Sequence, residues 1–302
     1  MSFFSRNRNL LILHGTVLVW GFTGILGALI NLSAVHLVWY RVIIAFVTLF
    51  IYFKATKTSV KLPGLTLLKL FFTGALVGGH WILFFQAIKS STISVALVCL
   101  SALTLFTAIL EPFIRRKKIS KLEIFTGLLI ISGIVLIFKF ETKYTLGISL
   151  GLCSAFCASL FSIINSRQVQ KHPASLISFY EIGGAIVWIS LYLLISGGFN
   201  ASMKLHNSDL IYLLILGIVC TSVAYVAGVS VMRELSAFRV ALVTNLEPVY
   251  GIILAFIFYG KKEHMTLGFY AGAVIIMSAI FIFPYLKNKI EKHRITKLLP
   301  QV

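Results

Sequence analysis

Residues 224–260, AYVAGVSVMRELSAFRVALVTNLEPVYGIILAFIFYG, hold two long apolar runs parted by a base and small polar residues, with a carboxylate beside a proline at Glu247 and Pro248 in the second run. A charge and a missing N–H are both costly inside an apolar helix. Placed over residues 80–116, HWILFFQAIKSSTISVALVCLSALTLFTAILEPFIRR, at an offset of 144, the same pattern coincides without a gap, with Lys89 over Arg233. One inserted residue brings Gly127 onto Gly272, and VWYR ending at Arg41 lies over SFYE ending at Glu181 at an offset of 140. The chain is therefore two copies of one unit.

Composition identifies the solvent of that unit. Of 302 residues, 59% are hydrophobic and 12% charged, and the apolar residues come in runs of about 20, the length that crosses a hydrocarbon core of about 30 Å. Spans are expected near 9–30, 33–53, 66–88, 92–114, 121–139, 145–165, 175–196, 208–230, 236–259 and 266–286. The expected fold is an all-α polytopic membrane protein with ten transmembrane helices. Five spans per copy is an odd number, so the second copy enters from the opposite side, giving two inverted five-helix repeats. Their expected bounds are 1–140 and 141–288, followed by a basic cytoplasmic tail at 289–302, with no room for a separate soluble domain. The first apolar run is as long as the others and lacks a small-residue exit, which argues against a cleaved signal peptide.

The net charge of +18 raises nucleic acid as a partner, but the placement of the bases argues otherwise. With the amino terminus inside, 20 Arg and Lys fall on inner segments and six on outer ones, Lys89, Lys139, Lys143, Lys204, Lys261 and Lys262. Such a bias puts both termini in the cytoplasm of a bacterial-type plasma (inner) membrane, and the excess reflects topology and anionic lipid. The remaining base, Arg41, lies within a span. Cys99, Cys153, Cys157 and Cys220 all fall inside spans, and their default reading is packing rather than metal or redox chemistry.

At 221–260, TSVAYVAGVSVMRELSAFRVALVTNLEPVYGIILAFIFYG, the sequence resembles the second repeat of the drug/metabolite transporter superfamily, in particular its EamA-type exporters, and 74–110 resembles the matching part of the first repeat. The strongest piece is Asn245, Leu246, Glu247 and Pro248, and Arg41 stands where that family often carries a second-span arginine. There are departures. Thr104 replaces a usual proline, and Arg116-Lys117 and Gly260-Lys261 stand where Gly-Glu is frequent. The resemblance implies a ten-helix secondary carrier for small polar metabolites, often amino acids or amines, without a tightly bound cofactor.

Depth selects the candidate residues. Glu247 lies about 15 Å into its span and Arg41 roughly 12 Å from the outer face, so the two share the midplane, whereas Glu181 at about 9 Å sits nearer inner-face water. For Glu247 three roles stay open: binding an amino group, carrying the coupling proton, or pairing with Arg41 to lock the halves together. Glu111, four residues before Arg115, reads as an interfacial ion pair. Pro248 is expected to act as a hinge, leaving the Thr244 carbonyl without its helical donor, with the Asn245 amide nearby. His80 is a proton carrier or a hydrogen-bonding group. Trp81 and its repeat partner Tyr225 are expected to stack on a cation or pack the core. Gln86 completes the set of substrate or coupling residues, and His14 and Trp20 are weaker candidates. The pairs Gly74/Gly78, Gly147/Gly151 and Gly268/Gly272 have the spacing of close helix crossings.

The expected function is a secondary transporter that moves a small polar metabolite, an amino acid, amine or related compound, outward by alternating access. Its partners are that small-molecule substrate and the lipid bilayer, with protons as an open coupling option, and its state is monomer or homodimer. GFTGILGA at 21–28 lacks the preceding strand and following lysine of a phosphate-binding loop, so ATP hydrolysis is unsupported. An enzyme acting on lipid or isoprenoid head groups is the alternative. It needs a cluster of acids or histidines at one interface, and the nine acids are scattered. No catalytic or metal-ligating set is assigned. A channel would need a ring-forming filter, which the inverted repeat does not provide.

Overall fold

The computed structural model describes residues 7–115 and 121–298. Arg6, Arg116, Lys117, Lys118 and residues 299–302 of the basic tail lie outside the described residues, as do the side chains of Arg115, Lys121, Lys262, Lys287, Lys292, Arg294 and Lys297. The described chain is helical, with no strand: α1 (Arg8–Leu29), α2 (Ala34–Thr56), α3 (Gly64–Ser90), α4 (Ile93–Leu100), α5 (Leu103–Arg115), α6 (Lys121–Phe140), α7 (Thr145–Gln168), α8 (Ala174–Ile195), α9 (Asn207–Gly217), a π-helical turn (Ile218–Val223), α10 (Ala224–Val231), α11 (Ala237–Thr244), α12 (Glu247–Tyr259) and α13 (Leu267–Leu298).

Among the described residues, eight stretches are long and apolar enough to cross a membrane, including the broken helices Ile93–Ile114, Asn207–Val231 and Ala237–Tyr259. The other two expected spans, within α6 and α13, are the shorter apolar helices Ile124–Phe140 and Leu267–Phe283. Large apolar side chains such as Phe113, Leu194, Ile195 and Ile257 face outward at 70–78% exposure, the surface of a chain solvated by lipid rather than water.

Lipid gives helices no hydrophobic reason to associate, so close packing must hold them. α3 packs against α7 and α8, α1 against α10 and α12, α2 against α8 and α9, and α6 against α13. At the α3–α8 crossing, a Cβ on Gly74 would lie 2.4 Å from the Glu181 carbonyl oxygen, and one on Gly184 2.6 Å from that of Phe71. Both helices therefore need a missing side chain at the same point. Gly133 and Gly272 face each other in the same way, each with the other's carbonyl oxygen 2.7 Å from where its Cβ would be.

Two spans break at matched positions. α4 and α5 part at Ser101-Ala102, and α11 and α12 part at Asn245-Leu246; both pairs run eight residues, then thirteen, and all four ends are 144 residues apart. The Thr92 hydroxyl accepts from Val95 N at the start of α4, and the Ser236 hydroxyl accepts from Arg239 N at the start of α11. The proline expected to kink a helix instead begins a new one: Pro248 occupies the first turn of α12, where a missing N–H has no intrahelical acceptor to disappoint. At the breaks the two spans meet, with the Asn245 amide donating to the Thr104 hydroxyl. The residue that departs from the resemblance thus supplies the polar contact between the two breaks.

Four of the nine acids serve helix starts. Glu263 accepts from Ile93 N at 3.1 Å, Ser94 N at 3.0 Å and the Ser94 hydroxyl at 2.6 Å, and Glu141 accepts from Thr266 N at 2.7 Å. Asp209 accepts from His206 N at 3.3 Å at the start of α9, and from Asn31 N at 3.1 Å in the α1–α2 connection. Glu111 accepts from Phe238 N at 3.1 Å, because the exposed amides of α11 offer a fixed donor in the apolar interior, and the side chain of its expected partner Arg115 lies outside the described residues. Glu263→Ala strands three buried donors and is expected to cost about 3 kcal/mol, read as a lower thermal midpoint of the purified chain, while Glu263→Gln loses less.

Candidate functional site

Of the nine acids, four hold helix starts, Glu234 is exposed, and the side chains of Glu123 and Glu291 are not described. Glu181 and Glu247 remain as buried carboxylates that no backbone N–H claims. Glu247 is 5% exposed in the first turn of α12, so the break in the span presents its carboxylate at a helix start, where the aligned peptide dipoles favour negative charge. It has no hydrogen bond or ion pair with another described residue.

Glu247 lines a cavity of about 80 Å³ with Arg41, His80, Trp81, Tyr225, Trp20 and Thr23. By the same measure a water needs about 10–15 Å³, so the space holds several waters or the polar head of a small molecule. Five of the seven sequence-selected residues converge here. The other two do not: the Gln86 side chain is exposed on the outer side of α3, and Asn245, 2% exposed, is engaged by Thr104 at the helix breaks. Pro248 also faces away, toward Val98, Ser101 and Met277; its contribution is to start the helix that aims Glu247. Trp20, a weaker candidate, lines the cavity, whereas His14 is exposed.

Arg41 does not pair with Glu247. Its Nε donates to the Thr221 hydroxyl at 2.6 Å, and its guanidinium carbon lies 4.3 Å from the Trp81 ring centroid and 5.6 Å from that of Phe85. Thr221 sits in the π-helical turn, where its own hydroxyl donates to the Leu216 carbonyl at 2.7 Å and so leaves a lone pair for Arg41. Arg41 is 1% exposed, yet its Nη1 has no acceptor. The Thr23 hydroxyl, also on the cavity wall, is likewise without a partner.

His80 Nδ1 lies 3.1 Å from the Ser154 carbonyl oxygen and 2.8 Å from its hydroxyl, which also donates to the His80 carbonyl. A carbonyl can only accept, so Nδ1 carries hydrogen and Nε2 holds the free lone pair. Trp81 meets Tyr225 edge to face at 5.7 Å. The two are repeat partners, and each carries a charged neighbour from the preceding span of its own half: Arg41 over Trp81, and Glu181 accepting from the Tyr225 hydroxyl at 2.8 Å. Sequence depth placed Glu181 near inner water. In the structure it is 0% exposed, because Asn165 and Tyr225 close over it. The partners Thr221, Asn165 and Ser154 are small polar residues inside apolar runs, a signal too common in membrane helices to single them out from sequence.

The profile of the EamA-like transporter family matches residues 8–139 and again residues 145–284. The chain belongs to the EamA-like transporter family. The family is one of transporters rather than of enzymes, and the apolar stretches of membrane length agree with it. A "Probable amino-acid metabolite efflux pump" of Salmonella typhimurium is 27% identical over 216 residues, 68% of this chain and 72% of that one. An "Uncharacterized transporter" of Clostridium kluyveri is 25% identical over 211 residues, and the match spans 67% of this chain and 65% of the relative, under two thirds of its length. One solved crystal structure superposes with a TM-score of 0.69 over 93% of this EamA chain and 98% of its own, at 16% identity, a likeness of fold.

Proposed function

We propose that this EamA transporter exports a small zwitterionic metabolite of the amino-acid class by alternating access. One observation carries the reading: a carboxylate, Glu247, and a guanidinium N–H, Arg41 Nη1, line the same buried cavity, and neither makes a hydrogen bond to protein. An ammonium and a carboxylate on one small molecule would satisfy both, and leaving either group unmatched in the apolar interior is costly. Trp20, Trp81 and Tyr225 supply π-faces for the cationic end. The efflux assignment of the Salmonella relative points the same way.

The ten-span, inverted-repeat arrangement supplies the transport cycle. The 17-residue stretches in α6 and α13 are at the short end of what crosses a bilayer, roughly 17–25 residues. Exchanging repeats 1–140 and 141–288 turns the contacts of α3 with α7 and α8 into those of the α9–π-turn–α10 span with α1 and α2, and leaves α6 against α13, which fits a two-fold axis in the membrane plane. With residues 1–8 and the basic tail at 289–302 in the cytoplasm of a bacterial-type inner membrane, the cavity runs from Arg41 and Glu247 toward Met232 and Val240 at the cytoplasmic turn between α10 and α11. The opposite side is tied by Lys89 Nζ donating to the Ile30 carbonyl at 3.1 Å, by Asp209 and by Glu263. Loading from the cytoplasm suits an exporter.

Counterflow in proteoliposomes tests the reading. A labelled neutral amino acid is expected to accumulate transiently against its unlabelled form, whereas the decarboxylated amine and the deaminated acid exchange far more slowly. Equal exchange of all three, or none of any amino acid, would overturn it.

A further inference from the structure

The second buried carboxylate is not part of the cavity wall, and its surroundings are short of donors. Glu181 Oε2 accepts from the Tyr225 hydroxyl at 2.8 Å and the Asn165 amide at 3.1 Å, and that amide also reaches the Tyr225 oxygen at 3.1 Å. Glu181 Oε1 has no partner. Neither has Asn165 Oδ1, on the residue that touches the carboxylate, nor Ser178 Oγ, one helical turn earlier on α8. All three residues are completely buried. Three unpartnered oxygens in one apolar neighbourhood is an arrangement that buried polar groups otherwise avoid.

Protein charge does not fill the gap. Of the cationic or ionisable groups on the helices packed against α8, Arg41 is engaged by Thr221 and Trp81, His36 by the Gly198 carbonyl, His80 by Ser154 and Lys89 by the Ile30 carbonyl, while Lys54 and Lys69 are exposed at helix ends. Tyr225 alone reaches the carboxylate.

We propose that Glu181, Asn165 and Ser178 form a binding site for one monovalent cation, a proton or a sodium ion, held apart from the substrate and linked to the substrate cavity through Tyr225. A proton on Oε1 would turn it into a donor for a neighbouring unpartnered oxygen; a sodium ion would take the oxygens directly as ligands. The Tyr225 ring forms part of the cavity wall and rests on Trp81, while its hydroxyl is on Glu181, so an occupied site fixes the wall that meets the substrate. The site stands on geometry alone; its coupling role rests on the transport reading above.

The test reads binding and coupling separately. The thermal midpoint of the purified full chain is followed as sodium chloride replaces choline chloride at constant ionic strength and fixed pH, and again across pH in choline chloride. A saturable rise with sodium identifies the sodium arm, and a rise with proton concentration that the wild type shows beyond E181Q identifies the proton arm. Glu181→Gln is expected to abolish the responsive arm, and Asn165→Ala to raise its half-saturating concentration by about tenfold. Glu247→Gln keeps the response. A wild type that answers to neither cation, or a Glu181→Gln chain that answers as the wild type does, overturns the site; should that variant not fold, an unchanged response in both Asn165→Ala and Ser178→Ala overturns it. In proteoliposomes that show counterflow, an imposed gradient of the responsive cation is expected to drive net substrate movement, and its failure to do so overturns the coupling. Absence of counterflow in the wild type instead counts against the transport reading.

Discussion

Glu247→Gln is expected to weaken substrate binding roughly a hundredfold, the equivalent of about 3 kcal/mol for removing one member of a desolvated charge pair. The substitution keeps the shape of the side chain and its place in the first turn of α12, and no protein hydrogen bond is lost, because none is made. The loss therefore falls on the bound molecule rather than on the fold. Half-saturation of counterflow measures it, beside an unchanged thermal midpoint of the ligand-free protein. Arg41→Gln provides the contrast. It removes the stacking on Trp81 and the hydrogen bond to Thr221 as well as the free Nη1, so binding and stability fall together. If Glu247→Gln transports with wild-type affinity, the carboxylate is not a substrate ligand and the zwitterion reading fails with it.

Gly74→Val is expected to destabilise the protein by at least about 3 kcal/mol, beyond the usual cost of overpacking, because the obstruction is backbone. The first atom of the new side chain would come within 2.4 Å of the Glu181 carbonyl oxygen and 2.7 Å of Ala185 N, neither of which can rotate away. Gly78→Ala, one turn along the same face, meets only side-chain carbons of Ile189 and Ala185 at 3.2–3.5 Å and should be nearly neutral. The measurement is the thermal midpoint and monodispersity of the two variants in detergent. The comparison separates spacing from contact: both glycines belong to the same small-residue pair, and only one is required by the fold.

The Gly74/Gly78 contrast marks a limit of sequence reading. Spacing announces that two helices approach closely, since small residues at i and i+4 share a face. It does not say which glycine meets a carbonyl, because that depends on the crossing point of a partner 110 residues away. The same limit separates Glu247 from Glu181. Depth along a span follows from rise per residue, so a shared depth for Glu247 and Arg41 is expected from the chain, and the two do line one cavity. Rotation about the helix axis and the packing of neighbours could not, and those decide that Arg41 turns to Thr221, that Gln86 points outward and that Glu181 is sealed by Asn165 and Tyr225.

The sequence by itself determined the solvent, the class and the repeat: apolar runs of membrane length and a pattern recurring 144 residues on are one-dimensional quantities that survive any folding. The tertiary structure alone decided which polar groups meet. Two helices break instead of bending, Asn245 ties the breaks together through Thr104, and Glu247 and Arg41 face one cavity without touching. Hydrogen bonds act over about 3 Å, and in a bundle whose packing surfaces are nearly uniform in hydrophobicity only the three-dimensional arrangement brings the scattered polar residues within that range.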